Sequence, residues 1–174
     1  MQRIVIGVVV GLVLAGCTTL RYGSPAATAE LRNARGEVVG RASVWEDAAG
    51  VRIVSEVRGA SPGAHGFHLH AVGRCDPPEF ATAGGHFNPA GRKHGLKHPA
   101  GPHAGDLPNM EVGPDGTGRQ EYVTTLVTLG PGPTSLFDAD GTALVLHAGP
   151  DDDVTDPTGN SGARIACGVL RKAP

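Results

Sequence analysis

Glycine and proline punctuate this chain from end to end, and no β- or helix-forming run past the N-terminus escapes them for long. The 174 residues hold 27 glycines and 14 prolines, with no Gly-X-Y period that would make a collagen. Helix interiors tolerate neither residue well, so a chain broken this often is left with short strands joined by turns. Eight β-prone runs stand between the breaks: 28–33, 39–46, 51–58, 66–72, 110–112, 119–128, 142–147 and 163–170. In the third, Val51, Ile53 and Val57 recur at period 2, with Arg52, Glu56 and Arg58 among the residues of the other face. That is the pattern of a half-buried strand. The expectation is one all-β domain, with apolar residues at 40% sufficient for a core. A net charge of −2 and 4% aromatics leave neither a basic face nor a stacking platform for nucleic acid.

Residues 1–16 stand apart. Arg3 precedes the apolar run Ile4 to Ala15, which is too short to span a bilayer and suits the core of a secretory signal. The ending Leu14-Ala15-Gly16-Cys17 resembles the lipobox of bacterial lipoproteins, whose cysteine is acylated and becomes the first mature residue. A plain signal peptide with a chance cysteine is the competing reading. On the lipoprotein reading, residues 17–27 are the lipidated N-terminus and tether, and 28–174 the folded domain. The protein is then exported to the cell envelope or periplasm and held to a membrane through Cys17. Export leaves Cys75 and Cys167 as one pair in an oxidising compartment. A bridge between them stabilises by roughly 4–5 kcal/mol in the chain-entropy model.

Seven of the eight histidines fall between His65 and His103. His68 and His70 flank Leu69, so on a strand both imidazoles share one face and can chelate a metal. Two solvated histidines on an outer face is the alternative reading of that motif. Further on, His86, His94, His103 and Asp106 offer three nitrogens and one oxygen, which can close a tetrahedral zinc shell. With no open position such a site is structural, and it would order a loop too poor in apolar residues to fold alone. His147 ends the run 142–147; with His68 and His70 it completes an all-imidazole set, which suits copper. Two stretches, 73–109 and 148–162, are longer than hairpin turns and expected to be functional loops.

These residues resemble the copper-zinc superoxide dismutases, in their bacterial lipoprotein or periplasmic branch. The likeness runs through His65-Gly-Phe-His-Leu-His70, Gly85-His-Phe-Asn-Pro89, His94-Gly95 and His103-Ala-Gly-Asp-Leu107. It continues through Leu144-Val-Leu-His147 and Gly159-Asn-Ser-Gly-Ala-Arg-Ile-Ala-Cys-Gly168, over essentially all of 28–170. The resemblance implies a flattened eight-stranded Greek-key β-barrel, an immunoglobulin-like sandwich with two long functional loops. It implies one copper per chain on His68, His70, His86 and His147, and one zinc on His86, His94, His103 and Asp106, with His86 bridging the two. Arg164 matches the arginine that docks the anion, Asp151 the carboxylate linking a copper ligand to a zinc ligand, and Cys75 with Cys167 the disulfide. The implied reaction is dismutation of superoxide to oxygen and hydrogen peroxide, and a homodimer is possible within the family.

Two segments depart from the eukaryotic members. The stretch from His147 to Arg164 is about six residues shorter and carries Asp151-Asp-Asp153 in place of a Glu- and Lys-bearing segment. The stretch Arg74–Phe80 also differs, which puts the eukaryotic dimer interface in doubt. His65 is expected to be a structural hydrogen-bonding residue, His98 a solvated one, Asp152 and Asp153 a solvated face, and Trp45 and Tyr122 packing residues. A copper carrier or a degenerate scaffold is the rival class. The complete ligand set and Arg164 speak against a scaffold. Against a carrier, Met1 and Met110 are the only methionines and no cysteine is spare for Cu(I). A zinc hydrolase would need an open position and a nearby base, and the sequence offers no candidate for either.

Overall fold

The structure, a computed structural model, describes residues 22–174. The signal sequence expected over 1–16 and the lipid site expected at Cys17 lie outside the described residues. Ten antiparallel strands follow one another: β1 (Ala27–Asn33), β2 (Val38–Asp47), β3 (Gly50–Arg58), β4 (Gly63–His65), β5 (Phe67–His70), β6 (Met110–Val112), β7 (Thr117–Thr124), β8 (Ala143–His147), β9 (Arg164–Val169) and β10 (Arg171–Lys172). All eight expected runs are present. β4 and β10 were not foreseen, being only three and two residues long. The run expected to reach residue 128 leaves the sheet after Thr124.

The strands pair in the order β4-β6-β7-β3-β2-β1-β9-β8-β5, with β10 also on β1. Only Gly66 separates β4 from β5, so the two ends of this ribbon are joined and the sheet curls into a nearly closed barrel. Gly66 makes that corner possible: a Cβ there would lie 2.6 Å from the Ser161 Cβ of the loop packed over it. The connections β5 to β6 and β7 to β8 cross between sheet positions, which is the Greek-key path expected.

Alternation places Ala27, Ala29 and Leu31 of β1 and Val51, Ile53 and Val57 of β3 inside, as period 2 requires. β5 and β8 are different: every residue of both is buried. Phe67, Leu69, Leu144 and Leu146 enter the main core. The opposite face of these strands lies under the two long loops. Cys75 and Cys167 form the disulfide, with Cα atoms 5.7 Å apart across 92 residues of chain. Around it Phe80, Ala83, Ala143 and Val145 make a second small apolar cluster, tying the first loop to β8 and β9.

The tether expected through residue 27 is docked from Tyr22 onward. The Tyr22 ring packs on Trp45 with centroids 5.3 Å apart, the Arg52 guanidinium sits 4.8 Å over Tyr22, and Trp45 Nε1 donates to the Gly23 carbonyl at 2.7 Å. Trp45 and Tyr122 are packing residues, as expected, Tyr122 against the main core. Leu69 is fully buried between the two histidines of β5. Leu69→Ala should therefore lower unfolding stability by about 2–5 kcal/mol in urea titration. A loss below about 1 kcal/mol would mean that this face of β5 is not packed as described.

Candidate metal centre

The first loop does not simply cover β5; it pairs with it. Leu69 N–H donates to Gly105 O at 2.9 Å, Phe87 N–H to Leu69 O at 2.8 Å and Ala71 N–H to Gly85 O at 2.9 Å. Residues 85–87 and 105–106 thus satisfy the edge of β5 that β8 leaves open, with bridges His68–Asp106 and His70–His86. This backbone pairing carries His86 and Asp106 to the face where His68 and His70 project. Gly105 is needed for it, because a Cβ there would meet Leu69 O at 2.3 Å.

Two four-donor clusters result, and they share His86. In each, the ligand atoms lie within 4.8 Å of one another: His68, His70, His86 and His147 in the first, His86, His94, His103 and Asp106 in the second. All seven residues are buried. The first cluster passes a strict polar accounting. One nitrogen of each ring is bonded: His68 Nε2 to Asp151 Oδ2 at 2.6 Å, His70 Nδ1 to Gly84 O at 2.9 Å, His147 Nδ1 to Gly162 O at 3.1 Å and His86 Nδ1 to Asp106 Oδ1 at 2.9 Å. The other nitrogens, His68 Nδ1, His70 Nε2, His86 Nε2 and His147 Nε2, are buried with no hydrogen-bond partner. Each such atom costs about 1–3 kcal/mol if left alone. Four converging lone pairs, each ring held by an acceptor at its far nitrogen, are what a cation with a preference for imidazole needs.

In the second cluster, Asp106 Oδ1 lies 2.9 Å from His86 Nδ1, 3.0 Å from His94 Nδ1 and 3.4 Å from His103 Nδ1. Donors on a tetrahedron with bonds of 2.0–2.1 Å are about 3.3 Å apart, so the set fits zinc. Asp106 Oδ2 is turned away and accepts from the N–H groups of Gly95 and His103 at 2.8 and 2.9 Å, which fixes the carboxylate plane. Asp151 joins the clusters: one oxygen meets His68 Nε2, the other His94 Nε2 at 3.0 Å. Asn109 in turn clamps the Asp151 backbone through two hydrogen bonds of 2.8 Å.

Arg164 is half-buried at the mouth of the cleft it lines with His70, His86 and His147. Its Nη1 and Nη2 donate to the carbonyls of Phe80 and Gly84, both at 2.6 Å. His65 holds His147 O at 2.7 Å and Ser61 O at 2.8 Å, the structural role expected of it. His98 accepts from the Ala100 N–H at 3.0 Å and stays outside both clusters. Asp152 is exposed and caps Val154 and Thr155, but Asp153 is a correction: it is buried, paired with Lys97 at 2.8 Å. Asn109 and the carbonyls of Phe80, Gly84 and Gly162 carry no signal in the sequence, and Asp153 carries a misleading one. A backbone acceptor has no side-chain signal, and one aspartate in a run looks like the next.

Burial sets the charge states of the first cluster. It holds His70 down to about 2 and His68 to about 3, the latter against the pull of Asp151, and His147 to about 4. His103 is lowered for the same reason. For His94, burial disfavours the charge but the carboxylates of Asp106 and Asp151 outweigh it, raising the ring to about 10. Burial likewise opposes ionisation of Asp106 and Asp151, and their imidazole partners with backbone N–H groups override it, holding both well below the usual carboxylate range. An imidazole whose folded pKa lies under its unfolded value of about 6.5 binds fewer protons folded than unfolded between the two. Stability from His68, His70, His147 and His103 is thus complete above that value and drains as pH falls. His94, shifted the other way, loses its contribution only above about 6.5, and the aspartates act below about 4. The urea midpoint of the metal-free protein should therefore fall steadily between pH 6.5 and 4, with a shallower slope in His70→Asn. A flat midpoint across that window would contradict the charge assignment.

The family model for copper/zinc superoxide dismutase matches residues 36–170. Among curated relatives, a Superoxide dismutase [Cu-Zn] of Aquifex aeolicus is 52% identical over 147 residues, covering 83% of this chain and 86% of its own. A Superoxide dismutase [Cu-Zn] of Caulobacter vibrioides is 41% identical over 148 residues, with 83% and 85% covered. The crystal structure of a SOD-like protein from Bacillus subtilis matches with a TM-score of 0.80 at 40% identity, over 83% of this chain and 97% of that one. With a family model over most of its length and relatives of this identity, the chain belongs to the copper/zinc superoxide dismutase family.

Proposed function

We propose that the protein disproportionates superoxide, with copper held by His68, His70, His86 and His147 and zinc by His86, His94, His103 and Asp106. The observation that carries this reading is the pair of buried four-donor clusters sharing His86. Its two nitrogens face different clusters, Nδ1 toward Asp106 and Nε2 toward the all-imidazole set.

The overall change takes two superoxide anions and two protons to one oxygen and one hydrogen peroxide. Copper supplies the one-electron exchange and zinc a fixed cation beside it. The chain's own residues do the rest. Arg164, always charged, draws the anion into the cleft and orients it beside the first cluster. His86 Nε2 can hold a proton when it is not engaged by the first cluster and release it to the reduced anion, while Nδ1 stays fixed on the second. Asp151 keeps His68 and His94 in the tautomers that present Nδ1 to their centres. The carbonyls of Gly84 and Gly162 do the same for His70 and His147 through the opposite nitrogen.

The envelope location rests on the N-terminal motif. Tyr22, the first described residue, is clamped on β2, β3 and β7, and in the barrel order β3 lies opposite β8, so the described chain begins on the wall away from the cleft. Mass spectrometry of the mature chain should find an acylated Cys17 at its N-terminus, and Cys17→Ser should release the protein from the membrane fraction. A mature chain starting elsewhere without lipid would refute the anchor.

The enzyme reading is tested on protein reconstituted with copper and zinc. Dismutation should be fast, with one copper and one zinc per chain, and absent in His147→Ala. Arg164→Gln should keep both metals and lose about ten-fold or more in rate, with a weaker dependence on ionic strength. Full metal loading without dismutation would leave only a copper-binding protein.

A further inference from the structure

The second long loop touches the zinc half of the site at more points than Asp151. Lys97 N–H donates to Asp153 O at 3.1 Å while its Nζ pairs with the Asp153 carboxylate. Asp156 reaches further in. Its Oδ1 accepts from the His94 backbone N–H at 2.8 Å, its Oδ2 pairs with Lys93 Nζ at 3.0 Å, and Oδ1 lies 3.7 Å from His103 Nε2. One carboxylate thus addresses two of the three imidazole residues of the second cluster, His94 through its backbone and His103 through its ring.

We infer that Asp156 is a positioning residue of the zinc site, the counterpart for His103 of what Asp151 is for His94. The inference rests on the zinc assignment made above. His103 directs Nδ1 at Asp106, so Nε2 is its far nitrogen, the one that needs an acceptor to fix the ring. Among the described residues, Asp156 is the carboxylate facing it. A movement of about 0.8 Å converts that approach into a normal N–H···O hydrogen bond. The consequence passes on along the chain: the next two residues, Pro157 and Thr158, line the copper cleft with His147 and Arg164. Through Asp156 the position of the zinc loop and the wall of the copper cleft become one mechanical unit.

The plainer role for Asp156, an exposed ion pair with Lys93, makes a different prediction, so the two separate cleanly. Zinc affinity is measured on the full chain by competition with a chromophoric chelator. Cobalt(II) placed in the zinc site reports ligand geometry by its visible absorption. Asp156→Asn should weaken zinc by about 10–100-fold and shift the cobalt bands, with copper loading and the urea midpoint retained. Asp156→Glu should recover most of the affinity. Lys93→Gln should stay within about threefold of the parent with an unchanged spectrum, as befits a surface pair. Zinc affinity and cobalt bands in Asp156→Asn equal to the parent's would overturn the inference, and so would an equal loss in Lys93→Gln. Should Asp156→Asn fail to fold, Asp156→Ser takes its place against Lys93→Gln: weakened zinc with a shifted cobalt spectrum in the first and not the second supports the role, and its absence removes it. A parent protein that takes up copper but neither zinc nor cobalt would refute the zinc assignment itself.

Discussion

Strands β5 and β8 bury Phe67, Leu69, Leu144 and Leu146 on one face and His68, His70 and His147 on the other. A sheet position buried on both faces normally carries apolar residues on both. Here the second face is polar, and it is dry because two loops lie on it. Neither loop could stay there by apolar packing alone, since the main core takes only Phe87, Ala104 and Leu107 as buried residues from the first and none from the second. The disulfide, its small apolar cluster and the pairing with β5 fasten the first loop, and what joins both loops over this face is the convergence of imidazoles and carboxylates on two points. Burial without a cation would leave several of these nitrogens unpaired, so metal affinity and loop order are two aspects of one free energy.

How much of this was legible in the sequence follows from the kind of signal each part leaves. His68 and His70 could be placed on one face because a strand has period 2, and Leu69 between them had to enter the core. Asp106 stood out because three histidines preceded it at loop spacing. β4 and β10 are too short to show a pattern, and residues 125–128 are β-prone although β7 ends at Thr124. Asp153 was read as solvated, yet it is buried against Lys97, a pairing set by tertiary folding alone. Asn109 left no trace for the same reason, because its partner Asp151 is 42 residues away.

The arginine shows how tightly the parts are linked. Arg164 does not face its cleft freely: the Gly84 carbonyl accepts from Arg164 Nη2 and also from His70 Nδ1, using both of its lone pairs. One atom thereby fixes the distance between the Arg164 guanidinium and a ring of the all-imidazole cluster. Gly84 belongs to the segment that the disulfide fastens to β9, and Cys167 is three residues beyond Arg164 on that strand. The bridge therefore closes a ring of constraints: disulfide to loop, loop carbonyl to arginine and imidazole, arginine back along β9 to the disulfide. For a substrate as small as a diatomic anion, few contacts are available to orient it. On the docking role proposed for Arg164, its preorganisation must then come from the protein, and this ring of constraints holds the guanidinium in place before any substrate arrives.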